Sequence, residues 1–442
     1  MMSPLAWTPL QKPLAGARMG VFAAYAALVA FAVYFCMYAF RKPFAAAKFE
    51  GEYFLGSEVA LKTAIVISQV IGYACSKYVG IKVCSEATPA RRAATLVGLV
   101  LAAEAALVLY GLLPGSWKVI GIFLNGLPLG MVWGLVVGFL EGRRCSEVLM
   151  AGLCASFILS SGVVKDVGSA VMDAGSVFGR LWGPVSEGWM PAVVGLLFLP
   201  AFFVSVWLLQ QLPPPDAADI AARSERQPML AADRRRFLRT YLPGMVLLIG
   251  TYLLLTAYRD FRDNYQVEIF AGLGYGRDAG HRAIITQAET LVAAGVIGAL
   301  AFLNLFRDNR AGLFAALAVT ILGMFVLLGG TALHRAGLVN GFWWVTLTGL
   351  GSYLAYVPFN AMLFERLVAS TRFAGTAVFA IYVADAVGYT GSVAVQLFKD
   401  LGAQSASRLE FFTAFTWVLG GVGAVALAGA LAYFARRTRA ES

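Results

Sequence analysis

Residues 212–240 read LPPPDAADIAARSERQPMLAADRRRFLRT and form the one long polar break in an otherwise apolar sequence. Three consecutive prolines and clustered charges are typical of a linker. Apolar stretches of about 20 residues, the length that crosses a bilayer as a helix, lie on both sides of it. Twelve are predicted, near 18–40, 59–80, 92–113, 117–140, 148–171, 189–211, 241–259, 283–306, 311–333, 341–364, 373–398 and 410–435. We therefore predict an all-α polytopic membrane protein with twelve transmembrane helices, six in an N-terminal half (1–211) and six in a C-terminal half (241–442).

The composition agrees with a membrane protein. Of the 442 residues, 59% are hydrophobic and 14% are charged, and the mean hydropathy is +0.73, whereas soluble domains have about 25% charged residues. These values exclude a soluble enzyme, a disordered chain and a nucleic-acid-binding protein. The net charge of +10 reflects topology, because Lys and Arg concentrate in the linker and in loops on the same side, such as Arg91-Arg92 and Arg143-Arg144. The positive-inside rule then predicts a multi-pass protein of the cell membrane with both termini in the cytoplasm.

Residue patterns for metal or enzymatic chemistry are scarce. The two histidines, His281 and His334, lie in predicted outer loops, so no His-rich metal motif is available. The nearest approach to a phosphate-binding P-loop is 56–63, where Leu61 stands in place of the second glycine. We expect no cofactor, no bound metal and no enzymatic activity, and transport would have to be driven by a gradient or by exchange.

Polar side chains recur every three or four residues on five of the predicted helices, which places each set on one helix face. Ionisable groups within a membrane are costly and are usually functional. The five faces together predict a shared, water-filled cavity. The sets are Tyr34, Tyr38 and Arg41 on helix 1, Gln69, Tyr73 and Lys77 on helix 2, Tyr252, Thr256 and Arg259 on helix 7, Tyr353, Tyr356 and Asn360 on helix 10, and Tyr382, Asp385 and Tyr389 on helix 11.

Several charged residues leave two interpretations open. Arg41 and Arg259 lie at predicted span ends, where snorkelling to lipid headgroups is the alternative to solute binding. Lys165 and Asp166 are adjacent and thus about 100° apart on a helix, so they either pair locally or point to different surroundings. Asp385 lies well inside its span and is either structural or functional.

Two further features of the spans indicate helix packing. Glu104 and Glu289 belong to no polar face and are predicted to pair with other helices. Predicted helix 4 has glycines at a four-residue spacing, which lets two helices approach closely. They are Gly126, Gly130, Gly134, Gly138 and Gly142.

Some of the same residues resemble the signature segments of a transporter family. The stretch Tyr38-Ala39-Phe40-Arg41-Lys42-Pro43-Phe44-Ala45 resembles helix 1 of the organophosphate:inorganic phosphate antiporters, a branch of the major facilitator superfamily. The stretch Ile71-Gly72-Tyr73-Ala74-Cys75-Ser76-Lys77-Tyr78 is similar to their helix 2, and Tyr258-Arg259-Asp260 falls where they have a helix 7 arginine. The second half adds Tyr356-Val357-Pro358, Ala374-Gly375-Thr376-Ala377 and Gly388-Tyr389.

The resemblance implies the major facilitator fold and a phosphate-binding role for specific residues. Arg41 and Arg259 would grip a phosphoryl group, since a planar guanidinium binds phosphate through two parallel hydrogen bonds, and Lys77 would add a point charge. Two features depart from the family. The loop 80–86 is a degraded form of the superfamily gating motif, and the family's helix 5 histidine is missing. We therefore expect a distant branch of the family.

The sequence thus predicts a secondary transporter that moves a small organic anion, with a phosphate ester or phosphate as the expected substrate, by alternating access. The chain is expected to act as a monomer whose partners are this solute and the lipid bilayer. One alternative is a proton-coupled transporter of a different solute that uses Asp385 or Asp166, because protonation discharges a buried carboxylate. Another is a transporter-like sensor without net transport. The predicted substrate-binding residues are Arg41, Lys77, Arg259, Tyr38, Tyr73, Tyr356 and Asn360, and the predicted coupling or gating residues are Lys165, Asp166 and Asp385.

Overall fold

A computed structural model describes residues 9–86, 89–140, 143, 145–215, 219, 231–276, 283–370 and 378–440. Within these residues, twelve long helices account for most of the chain. They are α1 (Met19–Arg41), α2 (Leu61–Glu86), α3 (Pro89–Leu112), α4 (Lys118–Leu140), α5 (Ser146–Met172), α6 (Met190–Gln210), α7 (Ala231–Asn264), α8 (Ile284–Leu303), α9 (Asn309–Arg335), α10 (Gly341–Pro358), α11 (Val378–Leu401) and α12 (Arg408–Ala440).

The helix order confirms the predicted fold class, a polytopic, all-α membrane protein. In the described parts of the chain, nine helices are long and apolar enough to cross a membrane. Within α2, the stretch Leu61–Ser76 is a shorter apolar helix.

Two helices differ from the predicted spans. Helix α7 begins at Ala231, ten residues before its predicted span, and has a non-helical residue at Tyr241 ahead of Pro243. Proline removes one helical hydrogen bond and clashes with the preceding turn, so a bend here has a local cause. Helix α10 ends at Pro358 and passes through a π-helical turn, Phe359–Leu363, into a short final helix.

The described chain divides into two compact units. The first unit comprises Met1–Ala47 and Ser68–Ser224, and the second comprises Lys48–Ile67 and Glu225–Ser442. In the first, α1 packs on α5 and α6, and α3 packs on α4; in the second, α7 packs on α11 and α12, and α9 packs on α10 and α12. The start of α2 therefore belongs to the second unit, although the rest of that helix belongs to the first.

The glycine repeat of α4 allows close packing inside the first unit. A Cβ atom added to Gly126 would lie 2.7 Å from the Gln69 carbonyl oxygen and 2.8 Å from the Tyr73 nitrogen, and one on Gly130 would lie 2.6 Å from Ser76 Oγ. Because backbone atoms of α2 occupy this space, α2 and α4 can approach only where α4 has no side chain. The predicted packing role of the glycines is confirmed at these positions.

A similar contact joins α7 and α11 in the second unit. A Cβ atom on Gly388 would lie 2.8 Å from Thr256 Oγ1, and one on Gly391 would lie 2.6 Å from Leu253 Cγ. The two glycines bring the polar faces of these helices within hydrogen-bonding distance of each other.

Candidate functional site

The first unit has a cluster of one arginine and two tyrosines. The Arg41 guanidinium carbon lies 3.9 Å from the centre of the Tyr73 ring and 5.6 Å from that of Tyr38. Such stacking stabilises a cation on the aromatic face. The structure therefore brings together three of the predicted binding residues, on α1 and α2.

The position of Arg41 is fixed by its backbone. Gln69 Nε2 donates to the Arg41 carbonyl at 2.7 Å and to Asn125 Oδ1 at 3.0 Å, and Asn125 Nδ2 donates to the Phe40 carbonyl at 2.9 Å. Arg41 is the last residue of α1, and the turn after it, Pro43–Ala46, is buried. The half-buried Arg41 side chain thus begins from a buried backbone held by α2 and α4.

The second unit has a larger polar cluster centred on Tyr252. Its hydroxyl donates to Asp385 Oδ1 at 2.6 Å, and its oxygen lies 3.2 Å from the Tyr356 hydroxyl and 3.3 Å from Asn360 Oδ1. The Tyr252 and Tyr356 rings stack at 5.3 Å between centres. A hydroxyl has one proton, so the short bond to Asp385 leaves the Tyr252 oxygen as an acceptor for the Tyr356 hydroxyl.

Arg259 joins this cluster with a carboxylate partner. Its guanidinium carbon lies 4.2 Å from the Tyr356 ring centre, and its Nη2 lies 2.9 Å from Asp260 Oδ1. Ser392 Oγ donates to the other Asp260 oxygen at 2.9 Å, and Gln396 lies one turn further on, 3.2 Å from Ser392. With a side chain 14% exposed, Arg259 remains within reach of a solute.

The π-helical turn of α10 places Asn360 in the cluster. Turns of this kind are rare and are frequent at functional sites. Asn360 lies within it, and Tyr356 lies just before Pro358 at the end of the regular helix.

The structure describes only some of the remaining predicted residues. The Lys77 side chain lies outside the described residues, and so does that of Tyr382. Lys165 is fully buried in α5, and the adjacent Asp166 is half-buried. These two stay predictions as coupling or gating residues.

Sequence reasoning placed Tyr252 on a polar helix face but not among the binding residues, and it placed Asp260, Ser392 and Gln396 in neither set. A signal for two of them exists, because Asp385, Ser392 and Gln396 follow at seven and four residues and so share a face of α11. Asp260 follows Arg259 directly, and the predicted span ended between the two.

A buried ion pair lies elsewhere in the second unit. Arg262 Nη1 and Glu289 Oε1 are 2.8 Å apart, and both side chains are 2% exposed. Gln266 Nε2 donates to the same Glu289 oxygen at 2.6 Å, and Arg262 Nη2 donates to the Val345 carbonyl at 3.2 Å. The interhelical role predicted for Glu289 is confirmed, and its contacts with Arg262 and Gln266 indicate a structural pair.

The start of α2 is held by a second polar cluster of the same unit, which we call the Thr63 cluster: Ala60, Lys62, Thr63, Tyr265, Glu268, Asp400 and Arg408. Lys62 pairs with Glu268, Thr63 Oγ1 lies 2.8 Å from the Tyr265 hydroxyl, and the Ala60 amide donates to Asp400 at 3.1 Å. Arg408 binds Asp400 at 2.6 Å and donates to Thr63 at 3.1 Å. Burial raises the pKa of Tyr265, so its hydroxyl keeps its proton and can donate.

The helix order and the structural comparison define the class of protein: a polytopic membrane protein with the major facilitator fold. Many solved structures share this fold, 232 chains in all. One of them, a crystal structure of a mutant of the nucleoside transporter NupG, matches with a TM-score of 0.58 and 12% identity, over 93% of this chain and 99% of that chain.

More narrowly, the chain belongs to the family described as a family of unknown function (DUF5690), whose model matches residues 43–437. No curated protein matches the sequence. The structural likeness bears on the fold alone, and the narrower resemblance to the phosphate antiporters stays a prediction.

Proposed function

We propose that this protein is a secondary transporter that moves a small organic anion across the cell membrane by alternating access, with both termini in the cytoplasm. The observation that carries the proposal is the Arg41 guanidinium, stacked on Tyr73 and Tyr38 within a membrane helix bundle. Arg41 is half-buried at the end of α1, ionisable groups within a membrane helix bundle are usually functional, and a guanidinium is well suited to carboxylate and phosphate groups.

The charges of the second unit limit the number of anionic groups that the substrate can have. Asp260 compensates Arg259, and Asp385 adds another carboxylate to the same cluster. A second strongly anionic group would be repelled there. We therefore propose a solute with one anionic group, bound by Arg41 with Lys77 as an additional cation, and a polar body rich in hydroxyl groups. Phosphate esters satisfy this description, and so do hydroxy acids.

The Tyr252 cluster suits the polar body of such a solute. Asp385 and the Asn360 carbonyl accept hydrogen bonds, while the tyrosine hydroxyls donate and accept. Arg259 and Tyr356 supply a cation and an aromatic face beside them.

Ligand-induced stabilisation tests this proposal without a transport assay. The purified protein is melted with glycerol phosphate, inorganic phosphate, lactate or uridine, since a ligand at 100 times its Kd stabilises the folded state by about 2.7 kcal/mol. We expect an anion to raise the melting temperature of the wild type. This rise should disappear in Arg41→Ala and become smaller in Tyr252→Phe. Equal rises in wild type and Arg41→Ala would overturn the proposed role of Arg41. Flux of the same compound into sealed vesicles separates a transporter from a sensor that only binds.

A neutral solute with an aromatic ring is the second candidate substrate. The stacked Tyr252–Tyr356 pair, next to the hydrogen-bonding groups of Asp385 and Asn360, favours it, and the structurally similar NupG is a nucleoside transporter. Stabilisation by uridine that persists in Arg41→Ala would support this candidate and contradict the anion.

A further inference from the structure

Glu104 is a buried carboxyl group in the middle of α3, in the first unit. Its side chain is 6% exposed, and neither carboxyl oxygen has a hydrogen-bond partner among the described residues. By contrast, Asp260, Glu268, Glu289, Asp385 and Asp400 each have a hydrogen-bond donor or a cation beside them. A membrane-buried carboxylate without either is strongly unfavourable.

The space for this carboxyl group is provided by a glycine of α6. A Cβ atom on Gly195 would lie 2.0 Å from Glu104 Oε2 and 3.1 Å from Phe40 Cδ1. The carboxyl group thus occupies the volume that any side chain at position 195 would need. The side-chain amide of Asn125, on α4, donates its hydrogens to the backbone carbonyls of Ala103 and Phe40 instead.

The helices packed around Glu104 direct their charges elsewhere. Helix α6 has no titratable residue, and the titratable residues of α1, α3 and α4 have other surroundings. Arg41 stacks on Tyr73, and Arg91 is exposed. Tyr25 donates to the Leu208 carbonyl, the Tyr34 ring contacts the Trp133 ring, and Tyr38 lies beside Arg41. Cys36 contacts Ser205, and Arg92 donates to the Gly138 carbonyl. Lys118 donates to the Tyr110 and Leu113 carbonyls and lies over the Tyr110 ring.

We propose that Glu104 is a proton-binding site: its carboxyl group holds a proton in the conformation described and exchanges it with water in another conformation of the cycle. Binding converts a carboxylate and a proton into a neutral carboxylic acid, which the apolar surroundings accept. The coupling of this proton to solute movement rests on the proposed transport function. Asp385, the coupling residue expected from the sequence, is a weaker candidate because Tyr252 donates to it.

Infrared spectroscopy of the purified wild-type protein tests proton binding directly. At neutral pH we expect a carboxylic-acid band that is lost in Glu104→Gln, which keeps the size of the side chain. The matched control is Glu289→Gln, equally buried but paired with Arg262, which should leave the band unchanged. Gly195→Ala, which displaces the carboxyl group without removing it, should shift the band. Identical spectra of wild type and Glu104→Gln would overturn the proposal.

Uptake into proteoliposomes tests the coupling. Radiolabelled glycerol phosphate and lactate are offered with and without an imposed pH gradient. We expect the gradient to stimulate wild-type uptake several-fold, and Glu104→Gln to retain uptake with the stimulation lost. Full stimulation in Glu104→Gln would overturn the coupling role. If the wild type takes up neither compound, the proposed anion transport fails for both, and the infrared band alone decides whether Glu104 binds a proton.

Discussion

Replacing Glu289 by alanine tests how much the buried Arg262–Glu289 pair stabilises the second unit. The substitution leaves the Arg262 guanidinium, 2% exposed, with the Val345 carbonyl as its remaining hydrogen-bond partner in the described structure. It also removes the acceptor of Gln266. Breaking a buried pair on one side costs about 3–5 kcal/mol. At about 2–4 °C per kcal/mol for a domain of 150–250 residues, the melting temperature should fall by roughly 6–20 °C.

Thermal melting of the purified protein in detergent measures this change, and a double variant supplies the control. Arg262→Met with Glu289→Leu removes both charges and leaves no ion unpaired, and apolar replacement of a buried pair is often neutral or stabilising. The double variant should therefore melt close to the wild type and well above Glu289→Ala. A Glu289→Ala protein that melts like the wild type, or a double variant no better than the single one, would refute this account of the pair.

Helix packing, the Lys62 ion pair and the Arg41 guanidinium give three further predictions. Gly126→Val should lower the melting temperature, since overpacking costs about 1–3 kcal/mol, whereas Gly98→Val, whose Cβ meets no atom within 4 Å, should not; equal losses would contradict the close contact. Glu268→Ala should speed amide hydrogen exchange at the start of α2, because buried Lys62 loses its carboxylate; unchanged exchange would argue against the contact. Arg41→Lys keeps the charge but loses the planar fork and should weaken anion binding about tenfold, or about 1.4 kcal/mol, in the melting assay, while unaltered affinity would count against guanidinium recognition.

The fold could be predicted from the sequence because hydropathy and linker position are local signals. Each predicted span coincides with one long helix, and the errors lie at the ends. The early start of α7 was missed because hydropathy treats Arg234–Arg236 as a polar break, although arginine and alanine are good helix formers. Charge and helix propensity are independent properties, and the prediction used only the first.

The candidate site was predicted in part. Helical spacing was enough to select Arg41, Tyr73 and Tyr356, because residues on one face meet the same neighbours. Spacing says nothing about which faces meet. The compensation of Arg259 by Asp260 depends on two adjacent side chains turning toward each other at 2.9 Å. The Glu104 carboxyl group is buried without a hydrogen-bond partner among the described residues because Gly195 of α6 has no side chain in the space that it occupies. A residue pattern within α3 cannot reveal this.

The Thr63 cluster has a consequence for the order of synthesis. Thr63 and its partner Arg408 are separated by 345 residues, which at about 5–20 residues per second take roughly 17–70 s to translate. For that time Thr63 has been made without Arg408, whereas Lys62 gains its partner Glu268 earlier, 206 residues after it is made. The start of α2 is therefore only partly paired until the last helix has been made. A chain truncated before Arg408 would never complete this step and would present that defect to the quality-control proteases of the membrane.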